Sequence, residues 1–226
     1  MINHYITLIK DLACAVLFFA WVYFITIVLS KKLFILLKKN RSEHSSAYLI
    51  RKFIHIFAGG IFFLFPFVFE EIIIPSLFCI SLGFFFYWRH LKENRYSWFQ
   101  EEEKKSEVIF CFSSGIIIFL AWQITNSMWF GIIPVLFMAL GDGVTGIVRG
   151  LRYGKQKKYW EGSIAMFIVS ALIGGMQFGI GGVVAAFAAT IVEKSNLIDD
   201  NITIPFISFI ILLVFWLYFP FLIKPF

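Results

Sequence analysis

The stretch "LACAVLFFAWVYFITIVLSKK", residues 12–32, runs from Leu12 to Leu29 without a charge and then meets Lys31 and Lys32. A run of that length matches the ~20 apolar residues a helix needs to cross a bilayer core of about 30 Å. Lys10 and Asp11 precede it and no small-residue cleavage pattern follows, so a retained helix is expected, not a removed secretory signal. Working outward, the same pattern of apolar runs broken by charged or Gly/Asn-containing connections predicts spans at 8–30, 53–69, 72–89, 108–125, 128–148, 161–178, 179–194 and 202–223. The expected fold is all-α: a polytopic integral membrane protein of about 7–8 transmembrane helices in a single bundle, with residues 1–226 forming one domain.

Composition points the same way. The chain is 60% hydrophobic with a mean hydropathy of +0.83, against about 45–50% apolar residues in soluble domains. Its 226 residues leave room for the helices and short loops but for no sizeable appendage. The net charge of +6 lies between the spans instead of on one exposed face, which argues against a nucleic-acid partner and for a topological role. Every Lys and Arg except Lys10 and Lys224 falls in connections on the same side of the predicted bundle. Those connections are therefore expected in the cytoplasm, and both termini outside. Cys14, Cys79 and Cys111 stand alone in apolar stretches with no CxxC spacing, and are read as packing residues. Glu93–Glu107, of mixed charge, is expected to be a solvated connection and is assigned no chemistry.

On that topology the unusual polar residues gather at cytoplasmic helix ends. Arg51, Lys52 and His55 open the second span, Asp142 closes the fifth, Glu161 and Ser163 open the sixth, and Glu193, Asp199, Asp200 and Asn201 lie between the seventh and eighth. Asp142 lies about six residues inside its span, roughly 9 Å by helical rise, where an unpaired carboxylate costs up to about 2.5–3.5 kcal/mol. One reading is a structural salt bridge to Arg149 or to the Arg51/Lys52 pair. The other is a divalent-cation site, because several oxygen ligands facing a basic pocket suit magnesium, which is usually held by one or two carboxylates plus substrate phosphates. Gly141, Gly143 and Gly146 permit close approach of backbone or ligand, and the lysines of "YGKQKK" (153–158) can meet phosphates as point charges. A nucleotide polyphosphate is the expected occupant. His55 reads as a proton acceptor, a phosphate contact or a packing histidine.

Two tempting motifs fail. "GDGVTG" fits GxGxxG but follows an apolar helix instead of a strand, and "GLRYGK" has three residues between its glycines where a P-loop requires four.

Taken in order, "RKFIHIFAGG" (51–60), "GDGVTGIVRG" with "KYWEGS" (141–163), and "ATIVEKSNLIDDNITIP" (189–205) resemble the CTP-dependent lipid kinase family of dolichol (polyprenol), phytol and diacylglycerol kinases, which is related to the phosphatidate cytidylyltransferases. The resemblance implies CTP as phosphoryl donor, Mg2+ as cofactor and a membrane lipid alcohol as acceptor. It implies catalytic roles for His55, Asp142, Glu193 and Asp200, with His55 or Glu193 as the base. Nucleotide contacts are implied for Arg51, Lys52, Gly154, Lys155, Glu161, Gly162, Ser163 and Asn201, to which the reading of the glycines and the lysine loop above adds Gly141, Gly143 and Lys158. The expected metal ligands are Asp142 with Asp199 or Asp200. Tyr159 departs from the pattern, standing where such proteins often carry Ser or Thr. The alternative enzyme, a phosphatidate cytidylyltransferase, would use the same nucleotide and metal, but the chain lacks the long K-D…PGHGG…DR stretch of that family's best-known branch. A transporter is the third reading, disfavoured because the polar groups cluster at one face and no internal repeat is visible.

Overall fold

The computed structural model describes residues 2–101, 104–153, 159–195 and 199–223. The regular structure in them is entirely helical, and six helices are long and apolar enough to cross a membrane. The first runs from Tyr5 to Lys38 and comprises α1 (Ile2–Tyr23), a π-helical stretch Phe24–Leu29 and α2 (Ser30–Lys38). The second, Glu43–Val68, starts at α3 (Glu43–Ile54), passes through π-helical His55–Gly59 and 3-10 Gly60–Leu64, and ends in α4 (Phe65–Val68). Then follow α5 (Ile73–Leu91), α6 (Ser106–Thr125), α7 (Trp129–Leu136) with π-helical Phe137–Asp142 and α8 (Gly143–Tyr153), α9 (Trp160–Ser195) and α10 (Asp200–Tyr218). The protein is an all-α polytopic membrane protein, and each expected span falls largely on helix, although the first helix runs on to Lys38 and the second already begins at Glu43.

Several buried hydroxyl groups are satisfied within their own helices, as an apolar surround favours. Thr26, Ser114 and Ser208 donate to the carbonyls four residues back, at 2.6, 2.8 and 2.7 Å. Ser42 caps α3 by accepting from the Ser45 amide, and Asn126 closes α6 in the left-handed conformation. At the end of the bundle away from Asp142, buried Asp11 accepts from the amides of Glu70 (3.2 Å) and Glu71 (3.0 Å), and Lys10 pairs with Glu70 at 2.6 Å. That exposed pairing holds the Glu70 carboxyl below the usual range.

The sixth and seventh spans are the two arms of α9. Gly179, at φ 58° and ψ −135°, takes a backbone conformation open in practice to glycine alone, and the chain doubles back there. Phe167 and Phe187 on the two arms lie 6.0 Å apart between ring centroids. A Cβ on Gly174 would stand 2.6 Å from the Gly182 carbonyl oxygen, so the arms meet backbone to backbone.

The span from Trp129 to Arg152 is the axis of the bundle. Its most apolar window is 78% buried, against 22–44% for the other five. Asp142 belongs to this central helix, whose apolar span runs on to Arg152, beyond the end of the expected span.

Candidate functional site

Two π-helical stretches meet where the polar residues converge. His55 begins one and Asp142 ends the other, and the two stretches pack on each other. A π-turn widens the helix and displaces its side chains from their α-helical directions, and such turns recur at functional sites. Lys52, one turn before His55, reaches Asp142 with Nζ 2.6 Å from Oδ2. Gly146 makes this reach possible, because a Cβ there would collide with the Lys52 methylenes lying across α8. His55 Nδ1 lies 3.9 Å from the same Asp142 oxygen, too far for a hydrogen bond, and has no hydrogen-bond partner among the described residues.

The second buried ion pair differs from expectation. Arg149 does not serve Asp142; its guanidinium forks onto Glu193 at 2.8 and 3.3 Å, with both side chains almost fully buried. It also donates to Ser163 Oγ and to the Tyr159 carbonyl, each at 3.3 Å. This bidentate geometry suits Arg and locks Glu193 in place.

Asp142, Glu193 and Asp200 each direct a carboxylate oxygen to one point, the three atoms lying within 4.8 Å of one another. Asp199 takes another position: it is the N-cap of α10, its Oδ1 accepting from the Asn201 amide at 2.9 Å and from Asn201 Nδ2 at 2.8 Å. The Asn201 Oδ1 is buried without a hydrogen-bond partner among the described residues. Three convergent carboxylates are hard-oxygen donors of the kind that suits magnesium, and the orphaned amide oxygen belongs to a residue lining the same cavity.

These groups line one cavity of about 440 Å3. Arg51, Lys52, His55, Asp142, Glu193, Asp199, Asp200 and Asn201 all face it. Other candidates do not line it. Gly141 meets Met166 and Ser170, Gly143 meets Ile56, and Gly162 makes room for Arg149. Ser163 serves Arg149, and Glu161 lies near Arg152 at 3.5 Å on the surface. Gly154, Lys155 and Lys158 fall outside the described residues.

Sequence reasoning missed four contributors: Tyr48, Glu101, Lys104 and Ser106. The last three come from the connection that was assigned no chemistry. That connection is folded down by Glu107, whose Oε1 meets His90 Nε2 and Gln100 Nε2 at 2.6 Å each, and by Trp98 Nε1 donating to Ser30 Oγ at 2.9 Å. Glu101 then pairs with Arg51. Partial burial pushes the Glu101 carboxyl up, but the hydrogen bond and charge of Arg51 outweigh it and hold the group below the usual carboxylate range. The signal available in the sequence was the aromatic and amide content of "YSWFQ" (96–100), unusual for a solvated loop.

No family model and no solved structure matches the chain. It is similar to a probable phytol kinase, chloroplastic, of Triticum aestivum, 27% identical over 202 residues that cover 72% of this chain and 66% of the relative. A probable phytol kinase 2, chloroplastic, of Glycine max is 33% identical over 106 residues, 36% of each protein. An uncharacterized protein of Methanocaldococcus jannaschii is 33% identical over 120 residues, 50% of this chain and 60% of the relative. The chain therefore spans less than two thirds of the length of each of these relatives.

Proposed function

We propose that this protein phosphorylates a membrane lipid alcohol, a polyprenol, phytol or diacylglycerol, using CTP and Mg2+ at the cytoplasmic face of the membrane. The observation that carries the reading is the convergence of Asp142, Glu193 and Asp200 in a cavity that also holds Lys52, Arg51 and Arg149. The similarity to proteins named phytol kinase supports it.

Phosphoryl transfer is catalysed mainly by positioning and by offsetting charge. Asp142 and Asp200 would hold the cation with the Asn201 amide oxygen, and the cation would screen the phosphate charges. Lys52 and Arg51 lie at the cavity wall, where they would meet the nucleotide phosphates. Arg149 forks onto Glu193 and fixes its position, so Glu193 serves as part of the anionic cradle and His55 as the base. In the reaction the lipid oxygen bonds to the γ-phosphorus, the bond from that phosphorus to the β-bridging oxygen breaks, and CDP leaves. The hydroxyl proton passes to His55 Nδ1, where the Asp142 carboxylate stabilises the resulting imidazolium.

The test is formation of lipid phosphate by the purified protein in nanodiscs containing phytol. Product is expected with CTP and Mg2+, little with ATP, and none after chelation. Absence of lipid phosphate with every alcohol tried refutes the proposal.

A further inference from the structure

A second cavity adjoins the first. It is smaller, about 60 Å3, and is walled by Ala58, Phe78, Cys79, Phe86, Phe110 and Cys111 among other apolar groups. Three polar side chains also reach it. Thr26 donates to the Val22 carbonyl and Glu107 is held by His90 and Gln100, so neither offers an unmet group to a ligand. The third is His55, which lines both cavities and lies against Phe110 in a tilted arrangement with ring centroids 4.8 Å apart. The apolar space thus begins at the imidazole that faces Asp142.

On its other side the space ends at Phe78, and Phe78 is also the inner wall of an open apolar groove of about 550 Å3 between α1 and α5. Leu12, Val16 and Leu77 on the groove are more than half exposed on the bundle surface, whereas Phe78 is buried. Groove, Phe78, inner cavity, His55 and carboxylates therefore follow one another from the bilayer-facing surface to the polar centre.

We infer that the inner cavity is the subsite for the tail of the acceptor, entered from the bilayer past Phe78, and that it selects an alcohol with one branched apolar chain over one with two acyl chains. The inference rests on the alcohol-acceptor reading above. On a scale where about 10–15 Å3 admits one water-sized group, the cavity admits a few carbons, about one isoprene-sized unit, and no second chain. With that unit in the cavity, the hydroxyl projects past His55 toward Asp142 and the remaining chain lies in the groove. Rotation of the Phe78 ring joins the two spaces.

The test reads binding apart from transfer. The full chain in nanodiscs is irradiated with a phytol analogue carrying a diazirine one isoprene unit from the hydroxyl, and the adducts are mapped by peptide mass. Adducts are expected on the Phe78–Phe86 part of α5 and at Phe110 and Cys111 of α6, competed by unlabelled phytol and not by dioleoylglycerol. Cys111→Phe, which overfills the cavity, should reduce those adducts about tenfold without changing the protein's elution as a folded species. Because the first measurement uses the unsubstituted chain, a variant that fails to fold leaves it intact. Adducts confined to bilayer-facing side chains, or competed equally by dioleoylglycerol, overturn the inference. Lipid phosphate is scored in the same preparation: mapped adducts without transfer support the subsite while counting against the kinase, and transfer without these adducts overturns the subsite alone.

Discussion

Asp142→Asn, alone and combined with Lys52→Met, separates a structural ion pair from a working site. The Lys52 and Asp142 side chains are only 14% and 6% exposed, and their charges are 2.6 Å apart. Removing one partner of such a pair strands the other and costs about 3–5 kcal/mol. Two further carboxylates, of Glu193 and Asp200, have oxygens within 4.8 Å of the Asp142 ligand atom and keep part of the field on Lys52, which places the loss near the lower bound. At about 2–4 °C per kcal/mol for a chain of this size, ~3 kcal/mol lowers the unfolding midpoint by roughly 6–12 °C. Replacing Lys52 by the uncharged, similarly shaped Met in the same chain removes the stranded charge, so the double variant should recover to within about 1 kcal/mol of the parent. Thermal unfolding in detergent and lipid-phosphate formation are measured on the parent, Asp142→Asn, Lys52→Met and the double variant. Stability should return in the double variant and turnover should not. An unchanged midpoint in Asp142→Asn refutes the ion-pair energetics, and near-parental turnover in the double variant refutes the catalytic role of both residues.

Other perturbations address single parts of the structure. Asp200→Asn should abolish the binding of Mn2+, used as a paramagnetic stand-in for Mg2+, whereas Asp199→Asn preserves a good N-cap and should bind it as the parent does; the reverse result moves the cation site to Asp199. Gly182→Ala thrusts a methyl onto the Gly174 backbone and should cost roughly 1–3 kcal/mol, seen as a lowered unfolding midpoint, while Gly175→Ala meets only Val183 at 3.2 Å and should be tolerated. Glu101 has a folded-state pKa below its ordinary 4.5, so its contribution is complete above about pH 4.5 and is lost as pH falls through the depressed value. Glu101→Gln should therefore speed hydrogen exchange in residues 96–101 at pH 7, with the difference from the parent vanishing at strongly acidic pH; a difference that grows on acidification has the wrong sign for this pairing.

The spans were legible because each is a long apolar run with few charges, a signal that survives without knowing which helix touches which. The rotation of each helix about its axis was less legible. Lys52 and Asp142 were among the pairings foreseen, since a buried carboxylate demands a cation, but the sequence offered Arg149 equally well. The choice depends on Gly146, which clears a lane for Lys52, and on Glu193, which faces Arg149 from α9. Both facts belong to helix packing and leave no local trace. Asp199 and Asp200 are adjacent and chemically alike, and only the start of α10 decides that the first caps the helix while the second joins the carboxylates of Asp142 and Glu193. Glu101 was missed because a charged connection reads as solvated until Gln100 and Glu107 are seen to fold it inward. The apolar cavity beside His55 was illegible because its walls come from several separate helices, and in a chain with 30 phenylalanines none of them stands out.

The central claim is that the terminal phosphoryl group of CTP moves to a lipid hydroxyl, and the fate of a labelled phosphorus tests it most directly. Purified protein with Mg2+ is given CTP labelled at the γ or at the α position, with polyprenol, phytol or diacylglycerol in one series and phosphatidate in the other. The account predicts γ-label in the lipid with an alcohol acceptor and CDP released in equal amount. Label from the α position in a lipid product made from phosphatidate, with pyrophosphate released, would contradict it and establish a cytidylyltransferase in its place.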